Sequence, residues 1–521
     1  DWISTGTTKT KKALQSMMRG GTKLLFFFLF GLSVAEEQTC SWTETNEIDP
    51  ALKEFTYDVG DGPKQFLAYV EPDVSSFYQE PEGSRTKVVP NFNGFAAKFI
   101  NLSNKKVKHY WEGNGATVLM RIYTPFSSGG TASFPGHQFF FTPENEPNVR
   151  LKEWTVEDYP SGNIMVYDPY LVEGDEEKTE ANLAVLSSED RELYDMWQKT
   201  LSFHEQYRNF TGRSWLANYG RDPPKNFMWR ADYFGQTHWV TTKETHFAEV
   251  PPADLLEPIS LQPSARILKD SDDRILSEYR VKGQSTLNMT LRALSCAPRV
   301  FEIENFLSEA EIEHILELAG GINLKASTTG DVGSNSNKNN EKVKPEEGTK
   351  TRTSFNSWVP RERSPVLDAI YRRSGDLLRI DESLLRYRGD DEYPDVPTKK
   401  ATCESLQLVH YGQTQEYTSH HDFGYSSIDD QYNGARFATL LFYLNEEMKG
   451  GQTSFPRWVN AESFHELQVV PKAGKAVLFY SQLPDGNMDD FSQHAAKPIV
   501  DGEKWLSKFS MVAISTRASC V

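Results

Sequence analysis

The sequence predicts a multi-domain α+β chain, largely β. Its C-terminal part is expected to be a double-stranded β-helix (jelly-roll) with flanking helices, preceded by a small β-sandwich. Three observations carry this. From Glu404 onward, runs rich in β-branched and aromatic residues alternate with turn residues, as in 436–445, 467–471 and 474–480. Over about residues 90–170, short strand-like runs recur at the spacing of a sandwich. A length of 521 residues leaves room for two or three domains.

In chain order, residues 1–35 read as a signal peptide. The apolar run 23–35 is too short to span a bilayer comfortably, follows Arg19 and Lys23, and ends in Ser33-x-Ala35. Met17-Met18 would open such a peptide, with residues 1–16 read as a gene-model artefact. An uncleaved signal anchor is the competing reading. Residues 36–89 are polar, broken by Pro and Gly, and read as irregular.

The sandwich, 90–170, draws on strand-like runs at 97–101, 107–111, 117–123 and 137–142. Residues 171–296 read as a helical and irregular middle region with a linker. A helix starts with a cap signal at Ser188, and Trp215, Trp229 and Trp239 are expected in the core or an interface. The last domain, 297–521, opens with the capping box Ser308-Glu309-Ala310-Glu311. An apolar helix face of Ile312, Ile315, Leu316 and Leu318 follows. Residues 326–350 lack periodicity and read as a flexible loop, 365–378 as a second helix, and 387–400 as irregular.

The composition, 38% hydrophobic and 25% charged, is that of a soluble globular chain. The net charge of −17 argues against a nucleic-acid partner, which needs clustered Lys and Arg. Removing residues 1–35 takes away five basic residues and one acidic residue, leaving about −21. No stable membrane span is expected after signal cleavage. Entry to the secretory pathway, whether the endoplasmic reticulum and Golgi lumen or secretion, agrees with sequons at Asn101, Asn209 and Asn288. Cys40, Cys296, Cys403 and Cys520 allow two disulfides in three connectivities, and none has metal-site spacing.

The residues that carry chemistry lie near the C-terminus. His420 and Asp422 are one residue apart and can share a strand face, because side chains alternate with period two. His494 would complete a three-ligand face. Two imidazoles and a carboxylate leave open positions on an octahedral Fe(II). His421 falls on the opposite face and is read as a packing or surface residue. Lys504 follows His494 by ten residues and can hold an acidic co-substrate. A two-residue hairpin loop at Asp501-Gly502 would put Lys504 and His494 on opposite sides. A three-residue loop with Gly502 in the left-handed region puts both inside, and this is the expectation.

The ordered set Tyr411-Gly412-Gln413, His420-x-Asp422, 436–445, Gly450-Gly451-Gln452-Thr453, His494 and Gly502-Glu503-Lys504-Trp505 resembles the prolyl 4-hydroxylase family of Fe(II)- and 2-oxoglutarate-dependent dioxygenases. The resemblance runs from about Arg299 to Thr516. It implies Fe(II) on His420, Asp422 and His494, and Lys504 paired with the distal carboxylate of 2-oxoglutarate. Tyr411 and Thr453 would contact the same molecule. The implied reaction decarboxylates 2-oxoglutarate to succinate with O2 and hydroxylates proline in a peptide or protein substrate, with L-ascorbate keeping the iron reduced. Thr414 stands where the family usually has Gly, and Ser510 where it often has Trp. The segment Arg352-Thr353-Ser354 follows the family's mobile loop. Hydroxylation of another residue, such as lysine, remains an alternative.

Residues 90–170 also resemble the β-domain of the von Hippel-Lindau protein. The shared pattern is Phe99-x-Asn101-x-Ser103, Trp111, Gly115, Pro125 and Gly136-His137-x-Phe139. Trp111, Ser133, His137 and Phe139 would fall on hydroxyproline-pocket positions, with Phe139 in place of Trp and Arg121 near the place of a Tyr. The implied alternative is a hydroxyproline-binding protein with an inactive oxygenase domain.

Overall fold

The computed structural model describes residues 49–72, 92–113, 115–159, 163–217, 226–243, 246–247, 286–327, 351–389, 399–425, 435–458, 460–461 and 467–512. They all belong to one compact unit, Thr45–Val521. The signal-peptide segment, nearly all of the loop expected at 326–350, and Cys40 and Cys520 lie outside the described residues.

The stretch expected to be irregular contains a hairpin. Strands β1 (Leu52–Tyr57) and β2 (Lys64–Tyr69) pair antiparallel along their whole length. Its apolar content is low because only one face is covered, and the cover comes from far along the chain. Phe55 stacks edge-on to Tyr207 and packs on Phe203.

Among the described residues, the stretch expected to be a sandwich is built of seven strands. Strands β3 (Phe95–Asn101), β4 (Val107–Gly113), β5 (Ala116–Tyr123), β6 (Ser127–Ser133), β7 (Gln138–Pro143), β8 (Lys152–Thr155) and β9 (Ile164–Tyr167) make two sheets, ordered β6-β3-β9 and β5-β4-β7-β8. Every second residue of β3 and β7, namely Phe95, Ala97, Phe99, Phe139 and Phe141, enters the shared core. Asn101 is wholly buried, and its amide donates to the carbonyls of Lys105 and Thr124. This overturns it as an accessible glycosylation site, while Asn209 and Asn288 are exposed.

Helix α1 (Glu176–Leu183) precedes α2 (Ser188–Thr211), which is capped one residue earlier than expected: the Ser187 side chain accepts from the Asp190 N–H. Gly212 ends α2 in the left-handed region at φ 75°. Tyr194, Trp197, Phe203 and Tyr207 form the buried stripe of α2. Trp215 and Trp229 are buried as expected. Trp239 is not: it is 67% exposed, because its strand is a sheet edge with Val240, not Trp239, turned inward.

The remaining strands are β10 (Thr237–Lys243), β11 (Thr286–Ala297), β12 (Arg299–Ile303), β13 (Lys325–Ala326), β14 (Phe355–Val359), β15 (Leu406–Tyr411), β16 (Tyr417–His420), β17 (Arg436–Tyr443), β18 (Met448–Gly450), β19 (Thr453–Phe455), β20 (Asn460–Ala461), β21 (Leu467–Val469), β22 (Ala476–Tyr480), β23 (His494–Ala496), β24 (Ile499–Gly502) and β25 (Lys504–Val512). The large sheet runs β10-β11-β12-β22-β17-β25-β15-β14-β13, with β20 attached to β11. The small sheet runs β16-β23-β19-β21. β15, β17, β22 and β25 are contiguous in the large sheet, and the chain passes between the sheets repeatedly, consistent with the jelly-roll expectation. β10 and β11, which but for Ala297 fall within the 171–296 middle region, pair in unbroken register; between them residues 244–245 and 248–285 lie outside the described residues.

Helix α3 (Glu309–Gly320) begins at the expected capping box, with both reciprocal bonds between Ser308 and Glu311 present. Helix α4 (Pro365–Leu378) is capped by Ser364, and Pro365 sits in its first turn, where a missing N–H costs nothing. Arg373 of α4 and Glu311 of α3 are both wholly buried and paired at 2.8 Å. Cys296 and Cys403 are free thiols. Among the described residues no helix is long and apolar enough to cross a membrane.

Candidate metal centre and anion pocket

β16 and β23 are neighbours in the small sheet, and His420 lies directly opposite His494. β16 ends at His420, so Asp422 lies in the turn beyond the strand, not on a continuing strand face. The turn still brings its carboxylate back: Asp422 Oδ1 is 3.8 Å from His420 Nε2, and Oδ2 is 3.7 Å from His494 Nε2. Among the described residues this is the one group of three or more potential ligands whose donor atoms lie within 4.8 Å of one another.

Both imidazoles are held by their other nitrogen. His420 Nδ1 is 2.8 Å from the Thr418 carbonyl, and His494 Nδ1 is 3.1 Å from the Ser492 carbonyl. A carbonyl only accepts, so Nδ1 carries the proton and Nε2 presents a lone pair to the centre. Burial pushes both rings toward the neutral form, His494 to about 4 and His420 well below the usual histidine range. Burial alone would raise Asp422. The Lys508 ammonium, aided by the two imidazoles, overrides it and holds the carboxyl well below its ordinary value. Neutral imidazoles and an ionised carboxylate are the forms that bind a divalent cation, so the donor set fits Fe(II).

Asp422 is oriented by residues the sequence reading missed. Thr439 Oγ1 donates to Oδ2 at 2.8 Å, and Lys508 Nζ to Oδ1 at 2.6 Å. Arg436 donates to the Asp422 carbonyl at 3.1 Å. One signal could have found Lys508: it is four residues beyond Lys504 on the same strand, hence on the same face. His421 turns away as expected and is buried between Tyr425 and Asp490.

Lys504 is wholly buried on β25, opposite Tyr411 of β15. Its ammonium donates to the Gly451 carbonyl at 2.5 Å and lies 5.7 and 5.3 Å from the Tyr411 and Tyr443 ring centres. Among the described residues no carboxylate pairs with it. Burial lowers its pKa to about 7. An uncompensated buried ammonium fits an anionic ligand. Thr453 is buried opposite Ala496, two residues past His494, and its hydroxyl accepts from Tyr443 Oη at 2.7 Å. Tyr443, also missed, belongs to the same pocket wall. The sequence-derived pocket residues Tyr411, Thr453 and Lys504 are thus brought together. Gly502 has φ 80°, the left-handed turn expected before Lys504.

The 2OG-Fe(II) oxygenase superfamily model matches residues 406–513. The chain is 30% identical over 226 residues to "Probable prolyl 4-hydroxylase 3" of Arabidopsis thaliana, covering 41% of this chain and 69% of that protein. The chain belongs to the prolyl 4-hydroxylase family. A second member, "Prolyl 4-hydroxylase subunit alpha-1" of Gallus gallus, is 33% identical over 218 residues, covering 40% of this chain and 35% of that one. Among solved structures, the chain is similar to the viral collagen prolyl hydroxylase of Paramecium Bursaria Chlorella virus-1 in its 2OG complex. The identity is 22% and the TM-score 0.28, over 41% of this chain and 96% of that one. Membership of this enzyme family implies Fe(II), 2-oxoglutarate and O2.

In the sandwich, Ser133 Oγ lies 3.3 Å from His137 Nδ1, and the Trp111 and His137 rings meet edge-to-face at 5.9 Å. Phe139 differs from the expectation. It is 2% exposed and packs on Phe99 in the core, because β7 turns it inward beside Phe141. Arg121 pairs in register with His109 across β4 and β5.

Proposed function

We propose that the chain 4-hydroxylates peptidyl proline in proteins of the secretory pathway, coupled to decarboxylation of 2-oxoglutarate to succinate, with ascorbate as the reductant that maintains the iron. The observation that carries this reading is Lys504: a buried ammonium without a carboxylate partner, in the same fold interior as two neutral imidazoles and a carboxylate. In this reading His420, Asp422 and His494 hold Fe(II), which supplies the oxidising chemistry when bound. Lys504 binds the distal carboxylate of 2-oxoglutarate, and Tyr411 and Thr453 supply hydroxyls along it. Thr439 and Lys508 fix the Asp422 carboxylate, and the apolar walls from Phe455, Phe479 and Leu506 exclude water. The double-stranded β-helix reading of the two sheets belongs to the same proposal. It is supported by the way the chain alternates between them. Incubation with Fe(II), 2-oxoglutarate and proline- or lysine-containing peptides tests it. Succinate formation with a mass increase of one oxygen on proline is expected. Oxygen on lysine alone would replace proline as the substrate.

The contact of Ser133 and Trp111 with His137 favours a second reading for the sandwich, as a site for hydroxylated proline. It complements the oxygenase reading, because the triad and Lys504 are all present.

A further inference from the structure

Both arms of the metal triad end in one buried carboxylate. Asp490 lies four residues before His494. Its Oδ1 is 3.1 Å from Nε2 of His421, the residue between His420 and Asp422. The same oxygen accepts the Ala96 N–H of sandwich strand β3 at 2.7 Å. Arg457 pairs with its other oxygen and donates to its carbonyl at 3.1 Å.

The N-terminal half grips Asp485, Asn487, Asp489 and Asp490, the polar side chains of residues 485–490. Asp485 accepts from the Tyr69 N–H and the Tyr207 hydroxyl at 2.8 and 2.7 Å. Asn487 exchanges bonds with Leu216 and Ser214. Arg213, itself paired with Glu71, reaches Asp489 at 3.1 Å. All of these groups are buried or nearly so. Residues 485–490 pair only through an isolated bridge, Met488 to Gln482, so these bonds supplement a short backbone ladder in fixing their path. The turn after Asp422 is held the same way: Phe423 and Tyr425 share a core cluster with Phe55, Phe203 and Trp215.

We propose that Asp490 is a positioning residue through which the N-terminal half of the chain holds both arms of the triad in register. The N-terminal half is on this view a part of the metal site's support, not a separable module. The inference rests on the reading of His420, Asp422 and His494 as iron ligands. In Asp490→Ala the His421 Nε2 contact with the Asp490 backbone carbonyl, 3.0 Å, survives, but the carboxylate's contacts with His421, the Ala96 N–H and Arg457 are lost, so the 490–492 turn that leads to the Ser492 carbonyl and His494 is no longer tied to β3.

The test uses the full chain as Asp490→Ala, Asp490→Asn, Arg213→Met and His494→Ala, with Fe(II) affinity measured anaerobically by chelator competition. Circular dichroism and thermal melting report the fold. Backbone hydrogen exchange over residues 485–496 is followed in parallel. Asp490→Ala is expected to weaken Fe(II) about 10–100-fold, the usual effect of removing an outer-shell partner. Asp490→Asn and Arg213→Met should weaken it less, with faster exchange in the segment and with kcat restored by excess Fe(II). If Asp490→Ala does not fold, Asp490→Asn decides. Folded Asp490 variants with unchanged iron affinity overturn the proposal. An effect at Asp490 but none at Arg213 overturns its link to the N-terminal half. His494→Ala separates the two readings: if it alone loses iron, this proposal fails and the oxygenase reading stands, whereas wild-type affinity in His494→Ala removes the oxygenase reading itself.

Discussion

His420 and His494 are a directly opposed cross-strand pair, 74 residues apart in the chain, with ring centres 4.3 Å from each other. The pairing sets the two donors face to face across the small sheet, and Asp422 closes the third side. Changing any of His420, Asp422 or His494 to Ala should therefore abolish turnover and iron retention, since two donors hold neither affinity nor geometry. Iron content after anaerobic loading and desalting, measured beside succinate formation, checks this. A variant that keeps stoichiometric iron would exclude its residue from the ligand set.

Lys504→Ala should keep iron but require more 2-oxoglutarate. A charge-assisted hydrogen bond contributes on the order of 1.5–3 kcal/mol, or about one to two decades in affinity. Lys504→Arg should rescue in part, because the guanidinium is planar and larger where the pocket holds a point charge. Succinate formation against 2-oxoglutarate concentration is the readout. An unchanged requirement in Lys504→Ala would remove the residue from this role.

The same lysine should make 2-oxoglutarate binding pH-dependent. Burial lowers its pKa to about 7 in the ligand-free protein, so above that pH the neutral amine must take up a proton as the anion binds. Affinity should fall by up to about tenfold per pH unit above 7, and calorimetry in buffers of different ionisation enthalpy should show proton uptake. Lys504→Arg should flatten the slope, because guanidinium does not titrate there. The stability of the ligand-free chain should move the other way. The folded value lies below that of a free lysine, so the unfolded chain binds the extra proton and the burial penalty shrinks as pH rises from 7 toward 10.5.

Thr414 occupies the left-handed region at φ 67°, where the family usually has Gly. A side chain there costs roughly 1–2 kcal/mol, and glycine's extra freedom in the unfolded chain returns about half of that. Thr414→Gly should raise unfolding stability by about 0.5–1 kcal/mol in urea titrations. The Thr414 N–H to Ile499 carbonyl bond, 2.8 Å, is a backbone contact and should survive the change. A loss of stability would mean that the threonine side chain makes a compensating contact.

If the sandwich binds hydroxyproline, Trp111→Ala, Ser133→Ala and His137→Ala should each weaken a hydroxylated peptide without affecting its plain counterpart. Calorimetry on the full chain reads this out. Equal affinity of the wild-type chain for the two peptides would count against the site.

Much of this molecule is legible from local pattern. The Ser308-Glu311 capping box, the Pro365 helix start, the period-two faces of β3 and β7, and the left-handed Gly502 all depend on residues near one another in the chain, where steric and hydrogen-bonding rules act directly. The ligand types were legible too, because few donor combinations suit Fe(II). The β1–β2 hairpin was not, since its covering surface, Phe203 and Tyr207, lies about 150 residues downstream. Nor was the exposure of Trp239, which depends on β10 being the edge of its sheet.

The sequence by itself singled out the candidate side chains: His420, Asp422, His494 and Lys504, with Tyr411 and Thr453 beside them. Only the tertiary structure decided how they meet. His494 and Lys504 do not converge through one hairpin's parity. They stand on different sheets, β23 in the small one and β25 in the large one. Asp422 reaches the centre from a turn, drawn by Thr439 and Lys508 of two other strands. Tyr443, Lys508 and Asp490 gain their roles only when burial removes water as a competing partner and leaves each polar group to find its bond within the fold.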